Sequence, residues 1–181
     1  NGIQILQPLT IKANETGTII LDGNKSQMFR TGDDIIFINL TFVNGGSSGG
    51  GFISVNSGTV NLINSTLKDL KSSGQGAAIT LTSGSNLNIE GSRFENISSS
   101  ASAAVLTSTG SNSAITIKDS IFDNINCTND YTLMRIAGNL ILERSNFTNI
   151  VGKYQSNWYG GIGLTGSANA FINECQFINI T

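Results

Sequence analysis

The chemistry open to this chain is bounded by the side chains it carries. Among 181 residues there is no histidine, there are two cysteines, and twelve Asp and Glu stand against ten Lys and Arg. General acid–base and nucleophilic catalysis draw chiefly on His, Cys, Lys and paired carboxylates, so the search narrows to the carboxylates. Asp33 and Asp34 are adjacent in sequence. Glu95 and Asp123 form the better pair, because each follows a phenylalanine (Phe94, Phe122) at equivalent points of a repeat, which places both carboxyls outward on successive turns. A separation of about 5 Å is that of the two carboxylates of a retaining glycosidase. Lys68 and Arg93 share the same surface, however, and a solvated row of exposed ion pairs has that composition too. That bland reading carries more weight, and no catalytic residue is expected.

Metal chemistry has less support. Two cysteines, no histidine and scattered aspartates supply no ligand set, so neither a metal nor a cofactor is expected. Cys127 falls in a segment that reads as a loop and Cys175 in a row of inward-facing serines, about two turns apart; their separation argues against a disulfide. Recognition is better served. Every tyrosine and the only tryptophan lie in two neighbouring loops, as Tyr131, Tyr154, Trp158 and Tyr159. Exposed aromatics on loops suit sugar stacking or a protein hot spot; alternatively these rings fold down and pin long loops to the body. Eight Asn-X-Ser/Thr triplets begin at Asn14, Asn24, Asn39, Asn64, Asn96, Asn126, Asn146 and Asn179. Of these, Asn39, Asn64, Asn126 and Asn146 are the best placed for N-glycosylation.

Composition sets the class of molecule. Only 12% of residues are charged and 21 are glycine, yet 39% are hydrophobic, too many for a disordered chain. A net charge of −2 without a basic stripe excludes nucleic acid as an expected partner. No apolar run is long enough for a membrane-spanning helix. The opening Asn1-Gly2-Ile3 and the closing Asn179-Ile180-Thr181 read as the ends of a mature or excised piece, without a capping sequence.

What must position any site is a repeat. A small residue followed by glycine recurs at Gly32, Gly58, Gly84, Gly110, Gly138 and Gly166. About ten residues later comes Phe42, Leu67, Phe94, Phe122, Phe147 or Phe177, and two further on Asn44, Asp69, Asn96, Asn124, Asn149 or Asn179. Seven and five residues before the Phe position the chain is apolar (Ile35/Phe37, Val60/Leu62, Leu87/Ile89, Ile115/Ile117, Leu140/Leu142, Ala170/Ile172). Two before it stand Leu40, Ser65, Ser92, Ser120, Ser145 and Cys175. The inward phase switches once, which describes a strand, a one-residue corner and a second strand. A further apolar pair precedes each glycine: Ile53/Val55, Ile79/Leu81, Val105/Thr107, Met134/Ile136 and Ile162/Leu164. The last two pairs lie one residue nearer their glycine, so a slip is expected there.

Three short strands per period of 25–30 residues predict an all-β, right-handed single-stranded parallel β-helix of six to seven coils, one domain over residues 1–181, with 1–31 as the opening coil and repeats over 32–181. Like residues then lie on like residues about 4.8 Å apart, giving a Phe stack and an Asn ladder. Asn and Asp suit the turn because they tolerate a left-handed backbone and their amides can bond from coil to coil. The regular outward threonine rows of an ice-binding face are missing, since Thr80 and Thr82 lack partners on most coils.

These columns resemble the right-handed β-helix repeats of the pectin-lyase-like superfold, and within it the adhesin-like repeats and polymorphic membrane proteins of microbial surfaces. The residues that carry the likeness are Asp22-Gly23-Asn24, the run Asn39 to Gly45, Gly50-Gly51-Phe52-Ile53 and Gly76-Ala77-Ala78-Ile79, and it extends over residues 9–181. The resemblance implies an extracellular or cell-surface structural or adhesive module, non-catalytic, with a glycan or a cell-surface protein as partner and self-association end to end or side by side. Since the enzymes of that superfold are polysaccharide lyases and glycoside hydrolases, a glycan-active enzyme built on Glu95 and Asp123 is the alternative. Asp33-Asp34 is similar to the paired aspartates of galacturonases, but the His-containing motif that accompanies them there has no counterpart in this chain.

Overall fold

The computed structural model describes residues 2–48, 51–82, 84–129, 133–152 and 161–181. Tyr131, Tyr154, Trp158 and Tyr159 lie outside the described residues. Every regular element described is a β-strand, and all the strands pair in parallel, coil upon coil, into three sheets.

Sheet A stacks Ile3–Ile5, Phe29–Thr31, Ile53–Val55, Ile79–Leu81, Leu106–Ser108, Met134–Ile136 and Ile162–Leu164. Sheet B stacks Leu9–Lys12, Ile35–Ile38, Thr59–Ile63, Asn86–Glu90, Ala114–Lys118, Asn139–Glu143 and Asn169–Asn173. Sheet C stacks Ile19–Asp22, Leu40–Val43, Thr66–Ser72, Arg93–Ser99, Ile121–Cys127, Asn146–Gly152 and Gln176–Ile180, with Gly46–Ser47 alongside Lys71–Ser72. The chain is therefore a parallel β-solenoid of seven three-stranded coils, six steps from first to last. Alternation works as the pleat requires: Val60, Leu62, Leu87, Ile89, Ile115 and Ile117 are buried, while Asn61, Asn88 and Thr116 between them face outward.

Two columns of left-handed backbone turn the strands. Between sheets B and C stand Asn39, Asn64, Gly91, Asp119, Arg144 and Glu174, with φ from 47° to 60°. Within the coils of sheet C stand Asn44, Asp69, Asn96, Asn124, Asn149 and Asn179, with φ from 53° to 57°. The second column contains the residue types that bear this conformation most cheaply. The first contains Arg144 and Glu174, which do not, and its position was legible only as the phase switch.

The serine column explains itself through the backbone. At each corner an N–H points inward, away from any ladder partner, and must be satisfied. Leu40, Ser65, Ser92 and Ser120 donate theirs to the Oγ of Ser65, Ser92, Ser120 and Ser145 on the next coil, at 3.1–3.2 Å. Those four hydroxyls in turn donate to the carbonyl two residues back, at 2.6–2.9 Å. Serine is the small side chain that accepts one bond and donates another.

The core has two textures. Phe94, Phe122, Phe147 and Phe177 lie face on face, with ring centroids 4.7–4.8 Å apart. Below Leu67 the stack gives way to a cluster in which Phe42 meets Phe37 (5.2 Å) and Phe52 (6.1 Å) edge-on. The Phe52 ring fills the space that Leu70 or Ile97 fills higher up, and a Cβ on Gly45 would collide with it. That accounts for the one glycine in an otherwise apolar column.

Two expectations are corrected. The fifth strand of sheet A places Leu106, not Val105, opposite Ile79 and Met134. The slip thus falls one coil earlier than the apolar pattern indicated. The preceding turn absorbs the extra residue through Ala103 at φ 57°, and Val105 and Leu106 both donate to the Leu133 carbonyl. Cys127 is not in a loop: it ends the strand Ile121–Cys127, is buried, and its Sγ donates to the Ala101 carbonyl at 2.8 Å. Lys71–Ser72, Ser98–Ser99 and Val151–Gly152 are strand in the same way, because the inward column continues past the Asn corner. Cys127 and Cys175 are thiols and form no disulfide.

Candidate functional site

Three places on the outer surface combine polar side chains from different coils. The first is the Asn corner. Asn96 donates to Asp69 (3.1 Å), Asn124 to Asn96 (2.7 Å) and Asn179 to Asn149 (3.1 Å). The ladder breaks twice. Asn149 donates to Asp123 (2.9 Å) instead of Asn124, and Asp69, as a carboxylate, donates nothing to Asn44, which itself donates to Asp22 (3.0 Å) in the first coil. Every donor lies one coil above its acceptor, so the ladder is polarised along the axis. Asp22 belongs to it through Asp22-Gly23-Asn24. Its carboxyl is held below the ordinary aspartate value by the Asn24 N–H and the Asn44 amide. A groove of about 850 Å³ runs beside this corner between Lys25 and Lys71.

The second place is the carboxylate pair. Glu95 and Asp123 are register partners on neighbouring strands of sheet C, as their spacing predicted. Arg93 joins them: Nε and Nη2 donate to the two Glu95 oxygens (3.0 and 3.2 Å), and Nη2 lies 3.6 Å from Asp123. The Asp123 carboxylate also accepts from Thr148 Oγ1 (2.8 Å) and Asn149 (2.9 Å). Thr148 first, then Asn149 and Arg93, hold Asp123 below the ordinary aspartate range. A glycosidase general acid needs the opposite, a carboxyl kept protonated by an apolar setting. The neighbouring column behaves alike, with Lys118 2.9 Å from Glu143 and Arg144 gripping Asp119 through two bonds of 2.7 and 2.8 Å. Among the described residues no three His, Cys, Asp or Glu side chains group as metal ligands.

The third place escaped the sequence reading. The outward residues of sheet A on coils two to five are Arg30, Ser54, Thr80 and Thr107, aligned by strand register. They floor a groove of about 540 Å³, walled on one side by Ser73–Gln75 and on the other by Asn56, Thr82 and Thr109. Single-residue periodicity hid it, since hydroxyl residues outside a sheet look like ordinary surface.

The proposed glycosylation acceptors divide between two settings. Asn39 and Asn64 occupy the left-handed corner, where the Asn39 amide donates to the Ala13 carbonyl (3.3 Å) and accepts from Thr16. Asn126 and Asn146 are exposed on sheet C strands. Asn96 and Asn179 have their amides engaged in the ladder. Comparison with known protein families finds no matching family, and comparison with curated proteins finds no match.

Proposed function

We propose that this chain is a non-catalytic, extracellular structural or adhesive module that presents grooves and loops for a glycan or a cell-surface protein. The observation that carries the reading is the state of its one well-placed carboxylate pair. Arg93 bridges Glu95 and Asp123, and Asp123 is held below the ordinary aspartate range, the opposite of what a carboxyl serving as proton donor needs. What the fold supplies instead is rigidity: strands bonded coil to coil into three sheets hold their outward side chains at fixed spacing, which serves recognition. An Asn-, Ser- and Thr-rich surface carrying several glycosylation triplets supports the extracellular placement.

A glycan array and a reducing-sugar assay on the same preparation test it. Binding without release of reducing ends is expected. Release that disappears in Glu95→Gln would establish the alternative, a glycan-active enzyme.

A further inference from the structure

We infer that the groove over sheet A binds a short oligosaccharide ending in a carboxylated sugar. The inference rests on the glycan-binding reading above and specifies its place and its ligand class.

Thr107 is the first reason. It lies on the groove floor, is only 2% exposed, and its Oγ1 has no hydrogen-bond partner among the described residues. A buried hydroxyl without a partner is costly and uncommon in native proteins, and a ligand hydroxyl entering the groove would satisfy it. The second reason is repetition. Ser54, Thr80 and Thr107 present hydroxyls at strand spacing, with Asn56 and Gln75 on the walls. A hydroxyl both donates and accepts, so this row matches a chain of sugar hydroxyls in either sense, and no described residue of the lining is a carboxylate that would repel an acid. The third reason is the one charge among the described lining residues. Arg30 closes the lower end of the groove and forms no ion pair among the described residues. A guanidinium fork is suited to a carboxylate. From Arg30 to Thr107 is three strand spacings, about 14 Å, the reach of a trisaccharide with its acidic end at Arg30.

Isothermal titration of the whole chain with sialyllactose and with lactose tests this. Sialyllactose is expected to bind about tenfold more tightly than lactose. Arg30→Gln should abolish that preference, and Ser54→Ala should weaken both sugars. Thr107→Val is expected to weaken binding while leaving the melting temperature unchanged or raised, because it deletes an unpartnered buried hydroxyl at nearly constant volume; a merely structural threonine would not separate the two readouts. Equal affinity for the two sugars, no binding of sialyllactose, or binding that is indifferent to Arg30→Gln and Ser54→Ala would overturn the inference. Array binding that persists in those variants would leave the module reading standing and remove only the groove. Release of reducing ends would remove the module reading itself.

Discussion

Asp69 is the single member of the Asn corner that cannot donate. As a carboxylate it accepts from Asn96 above but has no hydrogen to offer Asn44 below, so two acceptors face each other at that step. Asp69→Asn should close the gap. The expected gain is about 0.5–1 kcal/mol, read as a higher denaturation midpoint in urea; an unchanged or lower midpoint would show that the ladder does not add stability step by step. The serine column predicts the reverse. In Ser92→Ala the Ser65 N–H loses its acceptor inside the coil, and a buried unpaired donor costs about 1–3 kcal/mol. Should Ser92→Ala melt like the parent, those hydroxyls would be packing atoms only.

At the scale of the element, each strand owes its place to its neighbours above and below, since one coil has no second layer of its own. The aromatic stack makes this measurable. Phe122 lies between Phe94 at 4.8 Å and Phe147 at 4.7 Å and is fully buried. Phe122→Ala should therefore cost about 3–5 kcal/mol, and Phe122→Leu less, because Leu67 already occupies the same column. A melt showing equal losses for the two would argue against a continuous stack. The slip at Leu106 illustrates the same dependence in reverse. Once Leu106 is taken by the Ile79–Met134 column, Ser108 fills an inward position beside Leu81, with an Oγ that has no partner among the described residues.

For the whole molecule, the charge pattern sets the response to pH. With no histidine, no side chain has an ordinary pKa between pH 5 and 8, so stability should be flat across that window. Asp22, Asp119, Asp123 and Glu143 all have lowered folded-state pKa values. A lowered carboxylate pKa stabilises the fold above the unfolded-state value and loses that contribution as pH falls through the folded-state value. Thermal melts should hold steady from pH 8 to about pH 5 and then decline progressively as the pH falls below about 4. A steep change near pH 6.5 would mean that the groups governing stability are not these carboxylates.

Period and phase were enough to establish the architecture, because strand stacking forces chemically similar residues to recur at one interval: the Phe stack, the Asn corner and the inward serines could be named residue by residue. Glu95 and Asp123 were also placed correctly as neighbours, since register follows from the same count. The bonding of that pair, the reach of the strands to Cys127 and the slip at Leu106 depended on three-dimensional packing. Spacing specifies which coil a residue occupies, while the choice between Val105 and Leu106, or between Asn124 and Asp123 as partner for Asn149, turns on contacts between coils that a period leaves degenerate. The groove from Arg30 to Thr107 belongs to that second class. Its hydroxyls are far apart in the chain and ordinary in type, and only the stacking of sheet A under the loops beside it turns them into one surface.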